Sequence, residues 1–290
     1  MASRRDTGDP ISPEREREER FGGGRVVPPA YRGLPTFLLK GGAVYGPIHS
    51  RRMGRSLGIN LLPGDLKTCS FDCVYCQCDW TPLEGRPGAG IPYPSPEDLA
   101  REVAEAFAAL AGETDLSIDA ITLAGNGEPT LHPRFDACVD VILSLRDEHF
   151  PEAVVSVLSN GTELGREEVV RGLNALDERV MKLDAGTAAG LTRVDIPLVP
   201  FDLDTYEERL RALESVVIQT CFIRGRRDNT TEEEISAWLE RLARIRPESV
   251  QIYPIARVPA ALGLEVVPRQ VLEDIARRVR ALGLPVEVTT

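Results

Sequence analysis

The sequence predicts an α/β fold built on a parallel sheet. Strand and helix patterns alternate six times, which calls for right-handed crossovers between parallel strands. The predicted strands carry one apolar and one polar face. At 290 residues the chain can bury one sizeable core, and one α/β barrel-like domain fits that length.

Residues 1 to about 30 predict a disordered tail, because Arg4 and Arg5, the Glu/Arg run from Glu14 to Arg20, Gly22 to Gly24 and Pro28–Pro29 offer little to bury. Residues 31–290 are assigned to one domain. Its strands are expected at Ser56–Leu62, Ala120–Ala124, Val154–Asn160, Val180–Asp184, Val216–Ile223 and Val250–Ile255, each followed by a helical stretch. Ser95-Pro96-Glu97-Asp98 is a helix start before Leu99, Val103, Phe107 and Leu110. Thr231-x-x-Glu234 has the form of a capping box before Ile235, Trp238 and Leu242. Phe135, Cys138, Val139 and Ile142 recur at helical spacing after the second strand. The last helix carries Val271, Ile275, Val279 and Leu282 and stops at Gly283, with Pro285 beyond and a closing strand at Val286–Thr289.

One face of these strands presents Leu57, Ile59, Leu61, Ile121, Leu123, Met181, Leu183, Val250 and Ile252. The other presents Ser56, Asn60, Thr122, Ser156, Asn160, Lys182, Asp184, Gln219, Cys221, Gln251 and Tyr253. A parallel strand covered on both sides is normally apolar on both. Burying the polar set without partners is costly, so the pattern predicts an interior that holds a polar ligand. For Lys182 with Asp184 the other reading is a buried ion pair.

Composition narrows the function classes. A net charge of −11 repels phosphate backbones, so nucleic acid is not the default partner unless a local basic patch overrides it. No apolar run reaches the roughly 18 residues of a membrane span, and no apolar segment follows the N-terminal arginines, so the expectation is a cytoplasmic protein. In that reducing compartment the six cysteines are ligands or core residues rather than disulfides.

Four of them fall in Cys69-Ser-Phe-Asp-Cys73-Val-Tyr-Cys76-Gln-Cys78, a loop just past the first strand and a Pro63-Gly64 turn. Thiolates this close suit one compact centre. Structural zinc usually pairs two separated knuckles, and no second knuckle is present. The spacing therefore points to an iron–sulfur site. A fully ligated electron-transfer cluster needs four ligands, for which Cys78 is the fourth candidate. The histidines, His49, His132 and His149, are too dispersed to form a metal site.

Cys-x-x-x-Cys-x-x-Cys, with Tyr75 before the last cysteine, resembles the signature of the radical S-adenosylmethionine superfamily. The resemblance spans roughly residues 44 to 260. It implies a partial (β/α)6 barrel in which Cys69, Cys73 and Cys76 hold three irons of a 4Fe–4S cluster. The fourth iron is left to the amino and carboxylate groups of S-adenosylmethionine. The activity implied is reductive cleavage of that cofactor to methionine and a 5′-deoxyadenosyl radical, with a flavodoxin- or ferredoxin-type electron donor.

Other residues follow from the resemblance. The stretch Gly125-Asn126-Gly127-Glu128-Pro129-Thr130, at a strand end, is similar to the family's segment that binds the methionyl amino group. Asn126 stands where many members have glycine. Ser159, Asn160 and Gly161 resemble the segment near the ribose, although a strand-to-loop turn explains them equally. Lys182 and Asp184 are placed like residues that meet the ribose or the methionyl carboxylate. Cys221, Arg224, Tyr253 and Arg257 have inward parity or lie at strand ends, where substrate contacts are expected, and nothing in their spacing is diagnostic. The stretch from Gly46 to Asn60, together with Gly-Glu-Pro-Thr, is most similar to the wyosine-synthesis-like branch. Members best known there modify a tRNA guanosine. This chain departs from them in its acidity, in lacking a flavodoxin-like domain and in lacking cysteines for a second cluster. The favoured substrate is thus a small molecule or peptide. The alternatives are tRNA, met by Arg51, Arg52, Arg55 and Arg224–Arg227, activation of a glycyl-radical enzyme, or a non-catalytic iron–sulfur carrier.

Overall fold

A computed structural model describes residues 39–50, 54–112 and 117–290. The expected tail, with Arg51 and Arg52, lies outside the described residues. The first strands, β1 (Val44–Ser50) and β2 (Gly54–Ile59), form an antiparallel hairpin. From β2 onward the ladder runs in parallel and in chain order through β3 (Ala120–Leu123), β4 (Val154–Ser159), β5 (Glu178–Lys182), β6 (Val217–Gly225) and β7 (Ser249–Pro254). The path ends on β9 (Val286–Val288). A short β8 (Leu264–Val266) pairs antiparallel with the end of β6. The parallel α/β class is therefore as expected, while β1 and β8 are additions that the alternating pattern did not disclose.

Seven α-helices are described: α1 (Pro96–Ala111), α2 (Phe135–His149), α3 (Glu167–Ala175), α4 (Ala188–Val194), α5 (Leu203–Ala212), α6 (Glu232–Ile245) and α7 (Arg269–Ala281). Ser95 caps α1 as expected, its hydroxyl accepting from the Asp98 amide at 3.0 Å. The box at α6 is only half made. Thr231 Oγ1 accepts from the Glu234 amide, but the Glu234 carboxylate turns away to the Gly186 amide (3.1 Å) and the Thr187 hydroxyl (2.5 Å). That contact fastens the loop after β5 to α6. In α7 the buried face is Leu272, Ile275, Ala276 and Val279, and Leu282 is exposed, so the apolar stripe lies about one position from the one expected.

Leu57, Ile59, Ile121, Leu123, Met181, Val250 and Ile252 join the helices' apolar faces in one core. The polar face is buried too, but largely against itself. Thr122 Oγ1 lies 3.1 Å from Ser56 Oγ and 3.2 Å from Ser156 Oγ, Gln219 donates to Gln251 at 2.9 Å, and Lys182 donates to the Tyr253 hydroxyl at 2.9 Å. Part of the polar face is thus satisfied between neighbouring strands. Parallel register sets Thr122 beside Ser156 and Gln219 beside Gln251, so the strands supply each other's partners.

Among the described residues no helix is long and apolar enough to cross a membrane.

Candidate functional site

The cysteine loop leaves the end of β2 and lies across the carboxyl ends of the following strands, where ligands of parallel α/β sheets gather. Two backbone clamps hold it. On one side the Thr68 amide donates to Asn126 O (2.8 Å) and the Glu128 amide to Thr68 O (2.9 Å), which joins the loop to the segment after β3. Gly127 makes this approach possible: its φ is +140°, and a Cβ there would sit 1.8 Å from Thr68 O. On the other side residues 70–74 pair with 194–198. The Asp72 amide reaches Asp195 O and Ile196 O, Val74 donates to Val194 O, and Leu198 donates to Ser70 O.

Between the clamps sit Cys69, Cys73 and Cys76, all half-buried and none in a disulfide. Burial pushes the Cys69 thiol up to about 12 and Cys73 well above the usual thiol range. The Cys76 thiol is pulled down to about 6, first by a hydrogen bond with Cys78 and then, against burial, by Lys67. Buried thiols of this kind ionise readily only against a cation, which fits a metal-ligand set. Among the described residues no group of three His, Cys, Asp or Glu side chains stands ready to hold a single metal ion. Cys78 lies beside Cys76, with which it shares a hydrogen bond, and its Sγ is also 3.4 Å from Gly125 O.

The residues of the glycine-rich segment divide by role. The Asn126 side chain accepts from the Lys40 amide (2.8 Å) and donates to Lys40 O (3.0 Å), Pro63 O (2.9 Å) and Gly64 O (3.2 Å). It is a fully buried clasp on the chain entering the domain, which gives a physical reason for asparagine at this position. We predict that Asn126→Gly lowers unfolding stability by roughly 3 kcal/mol, because several buried backbone groups lose their partner. Urea denaturation checks it, and a change below about 1 kcal/mol would show that the clasp is dispensable.

Glu128 is also spent on the protein. One oxygen accepts from Thr130 N, Thr130 Oγ1 and Ser159 Oγ (3.0, 2.6 and 2.8 Å) and the other from Asn160 N (2.7 Å). Burial pushes its carboxyl up and these hydrogen bonds oppose the shift. Pro129 starts a buried 3-10 turn that Glu128 caps. Glu128, Ser159 and Asn160 thus weld the ends of β3 and β4. Asn160 then donates to Ser70 Oγ (3.0 Å) and approaches Cys69 Sγ at 3.9 Å.

A third group meets beyond β5. Asp184 accepts from Lys182 Nζ (3.1 Å) and the Cys221 amide (2.6 Å) through Oδ1, and from the Tyr75 hydroxyl (2.5 Å) through Oδ2. The Lys182 ammonium lies over the rings of Tyr253 (4.8 Å) and Tyr75 (5.3 Å). Burial works to neutralise it, but Asp184 and Tyr253 more than reverse that and keep it charged. Tyr75 thereby ties the cysteine loop to β5.

The remaining candidates scatter. Cys221 and Tyr253 are neighbours across β6 and β7. Arg257 is half-buried and near enough to Tyr45 to favour its ionised form. Arg224 donates to Thr230 Oγ1 at 2.8 Å within its own loop, and the buried Arg227 donates to Arg193 O at 2.9 Å, tying that loop to α4.

Two residues of the site carry no motif signal. Lys67 is buried at the start of the cysteine loop. Asp195 is 3% exposed, and its Oδ1 has no hydrogen-bond partner. Burial and the neighbouring Asp184 push its carboxyl well above the usual range, while a hydrogen bond with Cys73 opposes them. Position before Cys69 could have marked Lys67. Nothing local marks Asp195, which depends on the left-handed turn at Ile196 (φ 45°).

No protein-family profile matches the chain. It is 31% identical over 271 residues to a UPF0026 protein of Synechocystis, covering 84% of this chain and 95% of that one. Among solved structures it is similar to a radical SAM methyltransferase from Sphaerobacter thermophilus, with a TM-score of 0.61, 16% identity and coverage of 81% of this chain and 65% of that one. It is also similar to TYW1 with a lysine-pyruvate adduct bound, with a TM-score of 0.57, 16% identity and coverage of 78% and 73%. The chain thus spans nearly all of the Synechocystis relative but less than two thirds of the methyltransferase.

Proposed function

The chain belongs to the UPF0026 family and carries the fold of the radical SAM enzymes, and from that premise we propose that it is itself a radical S-adenosylmethionine enzyme. Cys69, Cys73 and Cys76 hold a 4Fe–4S cluster, and the Gly125–Pro129 segment with Ser159 and Asn160 forms the cofactor's seat. The observation that carries the reading is the doubly clamped cysteine loop at the carboxyl ends of the parallel strands. When bound, the cluster and cofactor supply a one-electron reductive cleavage to methionine and a 5′-deoxyadenosyl radical, which abstracts hydrogen from substrate.

The chain's own residues orient and shield. Gly127 has no side chain and so lets the Thr68 backbone pack against it, which fixes the cysteine loop to the segment after β3. Glu128 and Asn126 act from behind by fixing that backbone. Lys182 remains an ammonium, so its role is to meet an anionic group rather than to attack a carbonyl as a free amine. Electrons come from a flavodoxin- or ferredoxin-type donor.

A small molecule or peptide is the favoured substrate. Engagement of Arg224 with Thr230 and of Arg227 with α4, on a chain of net charge −11, supports this over tRNA. The Cys-x-x-x-Cys-x-x-Cys spacing, which leaves Cys78 outside the motif, supports a three-cysteine site over a fully ligated carrier.

Anaerobic reconstitution, reduction with dithionite and addition of S-adenosylmethionine should yield methionine and 5′-deoxyadenosine in equal amounts, read by liquid chromatography and mass spectrometry. Iron-loaded, reduced protein that forms neither product would sink the proposal.

A further inference from the structure

Lys67 has no part in the cofactor seat, yet its side chain is only 3% exposed. Its Nζ donates to the carbonyl of Asp79, the residue after Cys78, and lies 3.8 Å from Asp72 Oδ1, one residue before Cys73. The ammonium therefore reaches from the start of the cysteine loop to its end and sits inside the turn that carries all the thiols. Gly85 packs against the Lys67 carbonyl, where a Cβ would come within 1.9 Å, and its own carbonyl accepts from the Cys69 amide at 3.2 Å.

Asp72 does not cancel this charge. Its Oδ1 also accepts from the Thr81 amide at 2.6 Å, and its Oδ2 faces Arg86 Nη2 at 3.9 Å. One carboxylate is thus shared by two cations and a backbone donor. Asp79 follows Cys78 and Asp72 precedes Cys73, so the buried ammonium is held against both ends of the turn that carries Cys73, Cys76 and Cys78.

We infer that Lys67 is a positioning residue that supplies the counter-charge of the cluster seat and makes one-electron reduction of the cluster easier. The inference rests on the proposed cluster. Reduction adds one electron from an external low-potential donor to a centre already negative through its thiolates, with no bond made or broken. A fixed cation nearby stabilises the reduced form more than the oxidised form.

The test uses the full chain reconstituted anaerobically as wild type, Lys67→Met and Lys67→Arg, with iron content measured and the clusters titrated by electron paramagnetic resonance in mediated dithionite. Lys67→Met is expected to lower the ratio of reduced to oxidised cluster about tenfold at any fixed potential, a downward shift of about 59 mV for one electron. Lys67→Arg should stay within about threefold of wild type, since it keeps the charge. A Lys67→Met cluster with full iron and a ratio within twofold of wild type overturns the inference. Should Lys67→Met fail to load, loading of Lys67→Arg alone, with both metal-free proteins melting like wild type, supports the charge role. Failure of both variants overturns it in favour of a purely structural clasp. If wild type itself takes up no iron, the cluster proposal falls first and this inference with it.

Discussion

Replacing any one of Cys69, Cys73 and Cys76 by alanine is expected to reduce the iron of the reconstituted protein from about four per chain to background. The three thiols lie between the Thr68 and 194–198 clamps, on backbone that neighbouring segments hold from both sides. Loss of one ligand leaves two within the motif. Cys78 stands outside the motif's spacing, Cys138 lies buried beside His132 with Sγ 3.4 Å from Nδ1, and Cys221 is buried in β6. Cys78→Ala, Cys138→Ala and Cys221→Ala should therefore retain iron and the broad charge-transfer absorbance of the cluster. Full iron in any of the first three variants would count decisively against the assignment. Complete loss in Cys78→Ala would instead favour a four-cysteine carrier.

The cysteine loop and the strands behind it were legible because both are local signals. Three thiols within eight residues declare themselves, and the apolar alternation of β3 to β7 follows from burial of one face against helices. The hairpin partner β1 was hidden because Gly46 and Pro47 interrupt its alternation, and the register shifts between Tyr45 and Ile48. β8 is three residues long, too short to carry a period. The polar strand face was read correctly as polar, but its pairing between strands was not legible. Which neighbour satisfies Thr122 or Gln219 depends on the register between strands, and no single strand records that. Glu234 shows the same limit at a helix start: the spacing to Thr231 has the form of a capping box, yet a better partner waited in the loop after β5. Asp195 joined the site only because the chain after α4 folds back along the cysteine loop.

Lys182→Met is expected to destabilise the metal-free protein by about 3–5 kcal/mol, the cost of removing one partner of a buried charge pair. Asp184, whose side chain is 1% exposed, would keep the Tyr75 hydroxyl and the Cys221 amide but lose its cation. Asp195 lies beside it as a second buried carboxyl, so two acidic groups would share a space with no counter-ion. At this chain length the loss corresponds to a fall in Tm of roughly 6–10 °C. The double variant Lys182→Met/Asp184→Asn removes both charges and should recover more than half of the loss. The pH dependence has a definite sign. Without the ammonium, Asp195 loses the cation that opposes its raised carboxyl, so its folded pKa stands still further above the unfolded one. Stability relative to wild type is then best at low pH and falls as pH rises from about 5 towards 8, through the raised value. Thermal melts of wild type, single and double variants at those two pH values measure both effects. A single variant within 1 kcal/mol of wild type, or a double variant as unstable as the single, would show that Lys182 and Asp184 do not act as a coupled pair.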